Sequence, residues 1–247
     1  MIWKRYGNVF IKSFIWLGIC GALIFLGSLF AVKQKLSSWK ATWIVCGISA
    51  ASELCKIFTH IEESENGGVL GAEYLPFHLC SILIFLFFYL ALAPEGKYRE
   101  QVKSFLVPVA ILGGMLAMLI PTSGVNFRKP FAYQCFLYHS GILWYAIYLL
   151  ATKQVSMGKK AYIRNLGILA CLVIVMPWIN SALAVYDTNF FYLVRPPMEN
   201  LPVLNLDNGW MAYFLTIVAL GITLVSLVHL PFLLKKRKIA LAEPSPL

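Results

Sequence analysis

A histidine and a cysteine lie at the entrance of an apolar stretch, in the segment Leu-Pro-Phe-His-Leu-Cys at residues 75–80. The backbone N–H groups in the first turn of a helix have no partners within the helix and carry partial positive charge. That charge stabilises a thiolate, which is the nucleophilic form of cysteine. The segment therefore indicates covalent chemistry with Cys80 as the nucleophile. A small apolar residue packed in a helix bundle is the alternative reading of Cys80.

A thiolate mechanism also needs a base, and the chain offers two histidines for it. His78 and Cys80 are two residues apart and point about 200° apart around a helix axis, so they do not pair on one helix. Cys135 and His139 are four residues apart and share a helix face. Cys80 has the better electrostatic position and Cys135 the better local partner, and the spacing leaves the choice of nucleophile open. His139 serves equally well as a hydrogen-bonding link between helices.

Ionisable residues within apolar stretches mark functional sites, because burying them away from water is costly. Ser49, Glu53, Lys56 and His60 follow one another at spacings that place them on one face of a helix. Glu53 and Lys56 form either a structural ion pair or the wall of a pocket. Asn180 is a candidate oxyanion donor. The residues predicted to line a substrate pocket are Glu53, Lys56, His60, Gln134, Asn180 and Asn189.

These residues must be positioned by membrane helices, because 60% of the chain is hydrophobic. A membrane span needs about 20 mostly apolar residues. We expect an all-α, polytopic bundle that forms a single domain over residues 1–247, with a basic tail at 235–247. The first span is expected to be retained rather than cleaved. The seven predicted spans are 9–32, 41–60, 74–93, 103–121, 131–152, 162–184 and 209–234.

The basic residues predict how the bundle lies in the membrane. They are concentrated in the first, third and fifth loops and in the tail at 235–238. The positive-inside rule then places the C-terminus in the cytoplasm and the N-terminus outside. Lys4, Arg5 and Lys12 argue for the opposite orientation of the first span. In the predicted topology the histidines and cysteines singled out above lie in the outer third of the bundle.

Three motifs resemble one family of membrane proteins. They are the segment at 75–80, Phe136 with His139-Ser140-Gly141, and the run from Asn189 to Pro196 followed by Asp207, Trp210 and Tyr213. Together they are similar to the YwaF-like bacterial integral membrane proteins, relatives of the eukaryotic transmembrane protein 164 acyltransferases. The last span opens differently here, with Gly-Trp-Met-Ala-Tyr at 209–213 in place of a Pro-Trp-Pro-Trp-Tyr-like sequence.

The resemblance implies a lipid acyltransferase of the bacterial plasma membrane, with Cys80 as nucleophile, His78 as the motif histidine and His139 as a further candidate. The expected partners are membrane phospholipids and lysophospholipids. We expect no cofactor, no metal site and no nucleic acid. The alternative function, from another class, is a non-enzymatic binding or transport protein with a polar pocket that opens to the outside.

Overall fold

A computed structural model describes residues 2–63, 68–119, 130–198, 201 and 203–242, and of residues 2–13, 62–63 and 235–242 the backbone only. The described part contains seven α-helices and no strand, which confirms the all-α class. Short 3-10 turns lie at Ala72–Tyr74, Ala184–Tyr186 and Phe190–Tyr192. The helices are α1 (Ile2–Lys33), α2 (Ser38–Glu63), α3 (Leu79–Leu92), α4 (Lys97–Leu119), α5 (Pro130–Ala151), α6 (Lys159–Ala182) and α7 (Trp210–Ala242).

Five of these helices are long and apolar enough to cross a membrane, namely α1, α2, α4, α6 and α7. Each of the seven predicted spans therefore contains a helix, and five of these helices also meet these requirements for a span. Helix α3 has 14 residues. At 1.5 Å per residue it reaches only about 21 Å, less than the hydrocarbon core of a bilayer.

Helix α5 contains too many polar residues to qualify as an apolar span. Its position at the centre of the bundle accommodates them. Helices α1, α2 and α4 pack around it. Most of its side chains are buried, and two of its tyrosines bond to neighbouring elements. Tyr145 shares a hydrogen bond of 2.8 Å with Thr42, and Tyr148 donates one of 2.7 Å to the Leu36 carbonyl. A helix that faces protein rather than lipid accommodates such polar groups when they are paired.

Helix α3 begins five residues later than the predicted span at 74–93. Leu75 precedes a proline and is extended, with ψ of 148°. A residue before proline is disfavoured in the helical conformation, so the helix does not run through this point. His78 is the N-cap residue, also extended, with ψ of 149°. Cys80 is consequently the second residue of α3, and α3 packs against α2 and α4.

Helices α6 and α7 pack against each other and against α4. Helix α7 continues to Ala242, eight residues past the predicted end of the last span at 234. Some predicted features lie outside the described residues. They are the end of the fourth span at 120–121 and the last tail residues at 243–247.

Candidate active site

Cys80 lies in the first turn of α3 and is partly exposed. The first hydrogen bond of the helix runs from the Ile82 N–H to the His78 carbonyl, at 2.9 Å. The backbone N–H groups of Cys80 and Ser81 are therefore free of helical partners, and both are placed to bond to the Cys80 sulfur. The Cys80 sulfur therefore faces N–H groups at the start of the helix, which carry partial positive charge.

An ion pair from α2 lies beside this cysteine. Lys56 Nζ and Glu53 Oε1 are 2.7 Å apart, and both side chains are largely buried. The two charges act on the Cys80 sulfur, and the charge of Lys56 also acts on His78. The pair thus belongs to the surroundings of the cysteine.

Tyr138 on α5 connects the cysteine to the second histidine. Its hydroxyl donates a hydrogen bond of 2.6 Å to the Cys80 carbonyl, and its ring meets the His139 ring edge-on at 5.1 Å. Tyr138 was not among the predicted site residues. A sequence signal existed, because Tyr138 is four residues after Gln134 and shares its helix face.

Cys135 and His139 are close together, as their spacing predicts, but the histidine bonds elsewhere. His139 Nδ1 lies 2.7 Å from the Cys135 carbonyl oxygen and 3.6 Å from the Cys135 sulfur. The shorter contact assigns the proton to Nδ1, which donates it to the carbonyl. Nδ1 therefore does not accept a proton from the Cys135 thiol. The other ring nitrogen, Nε2, is buried and has no hydrogen-bond partner among the described residues.

Two further predicted residues belong to the packing around the site. The His60 ring stacks on Tyr74 with ring centres 3.5 Å apart, and its edge meets Phe131 at 4.6 Å. Gln134 donates a hydrogen bond to the Ser52 hydroxyl, which links α5 to α2. Both residues therefore hold neighbouring elements in place beside the Cys80 cluster.

Asn180 and Asn189 shape the loop between α6 and α7. The Asn180 amide donates to the Phe190 carbonyl at 3.0 Å and accepts from the Phe190 N–H at 2.8 Å. Asn189 accepts from the N–H groups of Val194 and Arg195 and donates to the Arg195 carbonyl. The Asn180 amide is thus engaged through both of its polar atoms in anchoring this loop.

The loop carries two aromatic residues in the left-handed region, where side chains are rarely found. Phe191 has φ of 59° and Tyr192 has φ of 54°. Such strain persists only where the surroundings hold it. Here α7 does so, because Tyr213 donates a hydrogen bond to the Tyr192 carbonyl and Trp210 Nε1 donates one of 2.9 Å to the Leu193 carbonyl.

This loop forms a polar cleft beside His78. The His78 ring lies 5.3 Å from that of Phe190 and 5.4 Å from that of Tyr192. The cleft has a volume of about 270 Å³. Asp187 binds Arg195 through both carboxylate oxygens, at 2.6 and 2.7 Å, and closes one side. The polar residues that line the cleft are Glu73, His78, Asp187, Asn189, Tyr192 and Arg195.

Residues from three helices thus meet around the start of α3. Two predicted residues, Asn180 and Asn189, instead organise the adjoining loop. Within the part of the chain that the structure describes, no three His, Cys, Asp or Glu side chains are grouped to hold a metal ion. The residues brought together are Glu53, Lys56, His78, Cys80, Cys135, Tyr138 and His139.

The fold and the apolar helices define a multi-pass α-helical membrane protein with a cysteine–histidine cluster at one end of the bundle. Residues 6–229 match the TMEM164 family, and the chain belongs to that family. The resemblance to transmembrane protein 164 is thereby confirmed. No curated protein and no solved structure shows significant similarity to the chain.

Proposed function

We propose that this protein is a membrane-embedded phospholipid acyltransferase, which moves an acyl group between lipids through a thioester on Cys80. The observation that carries the proposal is the position of the Cys80 sulfur. It faces the backbone N–H groups of Cys80 and Ser81 at the start of α3, beside the Glu53–Lys56 ion pair, and Cys80 lies two residues after His78, which lines the cleft. Backbone N–H donors of this kind favour the thiolate form, which is the form that attacks an ester.

In the first half of the reaction, the Cys80 thiolate attacks the carbonyl carbon of a donor phospholipid ester. The new C–S bond replaces the ester C–O bond, and a protonated histidine gives its proton to the departing glycerol oxygen. The products are a thioester, a lysophospholipid and a neutral histidine. N–H groups at the start of α3 stabilise the negative oxygen that forms during the attack.

In the second half, the neutral histidine takes the proton from the hydroxyl of an acceptor lysophospholipid. The resulting oxygen attacks the thioester carbonyl, the C–S bond breaks, and the thiolate is regenerated. Charge and atoms balance over the two halves, because the histidine is protonated again at the end. The chemistry requires no cofactor.

His139 is the preferred acid and base, and His78 is the second candidate. Support for His139 comes from its buried Nε2, which carries a lone pair and has no partner among the described residues. Support for His78 comes from its place on the cleft wall, where a polar lipid headgroup would enter. Glu53 and Lys56 form an ion pair whose opposite charges both act on Cys80.

The proposed reaction takes place in the outer leaflet of a bacterial plasma membrane. Lys97, Arg99 and Lys103 lie at the start of α4, whereas Cys80 lies at the start of the antiparallel α3. The positive-inside rule places the basic end in the cytoplasm and therefore the Cys80 end outside. With seven helices, the N-terminus lies outside and the C-terminus inside.

Label transfer in proteoliposomes tests the proposal. The donor is a phospholipid with isotope-labelled acyl chains, the acceptor is an unlabelled lysophospholipid, and mass spectrometry follows the label. We expect Cys80→Ala to lower transfer by at least about 10³-fold, because it removes the nucleophile. We expect His139→Gln to lower it by about 10²–10⁴-fold, the usual contribution of a general acid–base.

Cys135→Ala is the matched control, since it removes a neighbouring cysteine and should retain transfer. Full transfer by Cys80→Ala would disprove the thioester on Cys80. An effect of His78→Gln in place of His139→Gln would assign the acid and base role to His78. No transfer by any variant or by the unaltered protein, across several lipid classes, would favour a binding or transport protein.

A further inference from the structure

A second polar cluster lies at the opposite end of the bundle, where α4 and α6 begin and α7 approaches its end. Asn165 on α6 is fully buried. Its amide donates to the Ser104 carbonyl at 2.7 Å and to His229 Nε2 at 3.2 Å. His229 Nδ1 in turn donates to the Met157 carbonyl at 3.1 Å. These bonds tie α4, α6 and α7 together.

Arg164, next to Asn165, brings a positive charge into this cluster without a carboxylate. Its Nη2 donates to the Ser104 hydroxyl. Its Nε is buried and has no hydrogen-bond partner, and Arg164 forms no ion pair within the described residues. A buried polar group without a partner is costly, and an uncompensated charge is more so.

Two more cations, Arg99 and Lys103, lie on α4 at the same end of the bundle. Arg99 is 7% exposed and Lys103 is 4% exposed. Arg99 pairs with Glu95 at 2.9 Å and Lys103 with Glu100 at 2.7 Å. The Nε of Arg99 is also buried without a partner. At this end of the bundle these three cations thus have two carboxylate partners between them, and no described group accepts from the Nε–H groups of Arg99 and Arg164.

An anion with several oxygen atoms would neutralise the excess positive charge and accept hydrogen bonds from the unpartnered Nε–H groups. Guanidinium groups bind phosphate through two parallel hydrogen bonds, and an ammonium group adds a point charge. Arg164 lies five residues after the start of α6, about 7.5 Å along the helix and so near the membrane interface. Lipid phosphates lie near that level, and basic pockets between helices on the cytoplasmic side bind anionic headgroups.

We propose that Arg164 binds the phosphate group of an anionic phospholipid where α4 meets α6, at the cation-rich end of the bundle. The site lies at the other end of the bundle from Cys80, so it is distinct from the acyl-transfer site and does not depend on that function. A bound phosphate neutralises the excess charge and accepts from the Arg164 Nε–H. It therefore stabilises the packing of α6 against α4.

Thermal unfolding of the purified protein in a neutral detergent tests this site. Phosphatidylglycerol is compared with phosphatidylcholine of the same acyl chains, so only the headgroup differs. We expect phosphatidylglycerol to raise the unfolding midpoint by about 3–10 °C more than phosphatidylcholine, because a ligand that binds only the folded state stabilises it. Arg164→Gln should abolish this difference. Lys160→Gln, the matched control, removes an exposed charge from the same helix and should keep it.

Equal shifts with the two lipids in the unaltered protein would overturn the proposal, as would an undiminished phosphatidylglycerol shift in Arg164→Gln. If Arg164→Gln does not fold, Arg164→Lys replaces it, since it keeps the charge and loses the two-pronged bond. A loss of half the shift or more then supports the site, and an unchanged shift overturns it. A shift produced by millimolar inorganic phosphate alone would identify a free anion and overturn the lipid assignment.

Discussion

Cys80 and Cys135 illustrate how backbone context decides the chemistry of a residue. The spacing of Cys135 and His139 predicts that they meet, and their side chains are indeed 3.6 Å apart. The histidine nitrogen at this contact nevertheless donates to the Cys135 carbonyl. Cys80 has no histidine on its own helix face but gains the free N–H groups of a helix start. The backbone thus favours Cys80 as the thiolate.

Alkylation rates should separate the two cysteines. In variants that keep a single cysteine, we expect Cys80 to react with N-ethylmaleimide at least about tenfold faster than Cys135, because its sulfur faces N–H groups at a helix start and it is more exposed than Cys135. Mass spectrometry of the labelled protein gives the rates. A variant that keeps only Cys171, which is exposed in the middle of α6, controls for access without a helix start. A Cys80 rate no higher than that of Cys135 would contradict the assignment.

Residue types and spacing predicted most of this cluster but not how each side chain is used. Glu53, Lys56, His78, Cys80 and His139 converge as expected. Asn180 could not be assigned from the sequence, because its partner is the backbone of Phe190, placed by a loop with an irregular conformation. Tyr138 was missed for a related reason, since its hydroxyl reaches a carbonyl on another helix.

At the level of elements, hydropathy located the helices, and two of them depart from a simple apolar span. Pro76 explains the late start of α3, because the residue before a proline avoids the helical conformation, and this effect can be predicted from the sequence. The central position of α5 cannot be predicted in this way, because its burial depends on how all the neighbouring helices are arranged. The polar residues of α5, among them Gln134 and His139, predict from the sequence alone that this helix contributes to the site.

Close packing between α4 and α5 depends on one glycine. A Cβ at Gly114 would lie 3.0 Å from the His139 carbonyl oxygen, whereas a Cβ at Gly113 would meet nothing within 4 Å. We expect Gly114→Ala to lower the free energy of unfolding by about 1–3 kcal/mol, because α5 must shift at His139. Gly113→Ala should be neutral or stabilising by up to about 1 kcal/mol, since alanine favours the helix.

Denaturant unfolding in detergent, followed by circular dichroism, measures both glycine variants. The pair is matched in helix, in neighbouring position and in the atoms added. Equal effects of the two substitutions would show that α4 and α5 do not approach each other at Gly114. If acyl transfer is found, Gly114→Ala should also reduce it, because the displaced backbone carries His139.

Across the whole molecule, the two ends of the bundle differ in their polar groups. The end with Cys80 carries a balanced ion pair, Glu53 with Lys56, and a cleft with both signs of charge. The end with Arg164 carries an excess of cations. This asymmetry agrees with the positive-inside rule and gives each end a different lipid chemistry, with acyl transfer at one and anion binding at the other.

Labelling from one side of the membrane tests this orientation. In a background without the six natural cysteines, Glu73→Cys places a thiol beside the cleft and Lys160→Cys places one at the basic end. We expect a membrane-impermeant maleimide to label Glu73→Cys in intact cells, and to label Lys160→Cys only after the membrane is opened. The cysteine-free background is the control for unspecific labelling. The reverse pattern would move Cys80 to the inner leaflet, where the same thioester chemistry would act on a different pool of lipids.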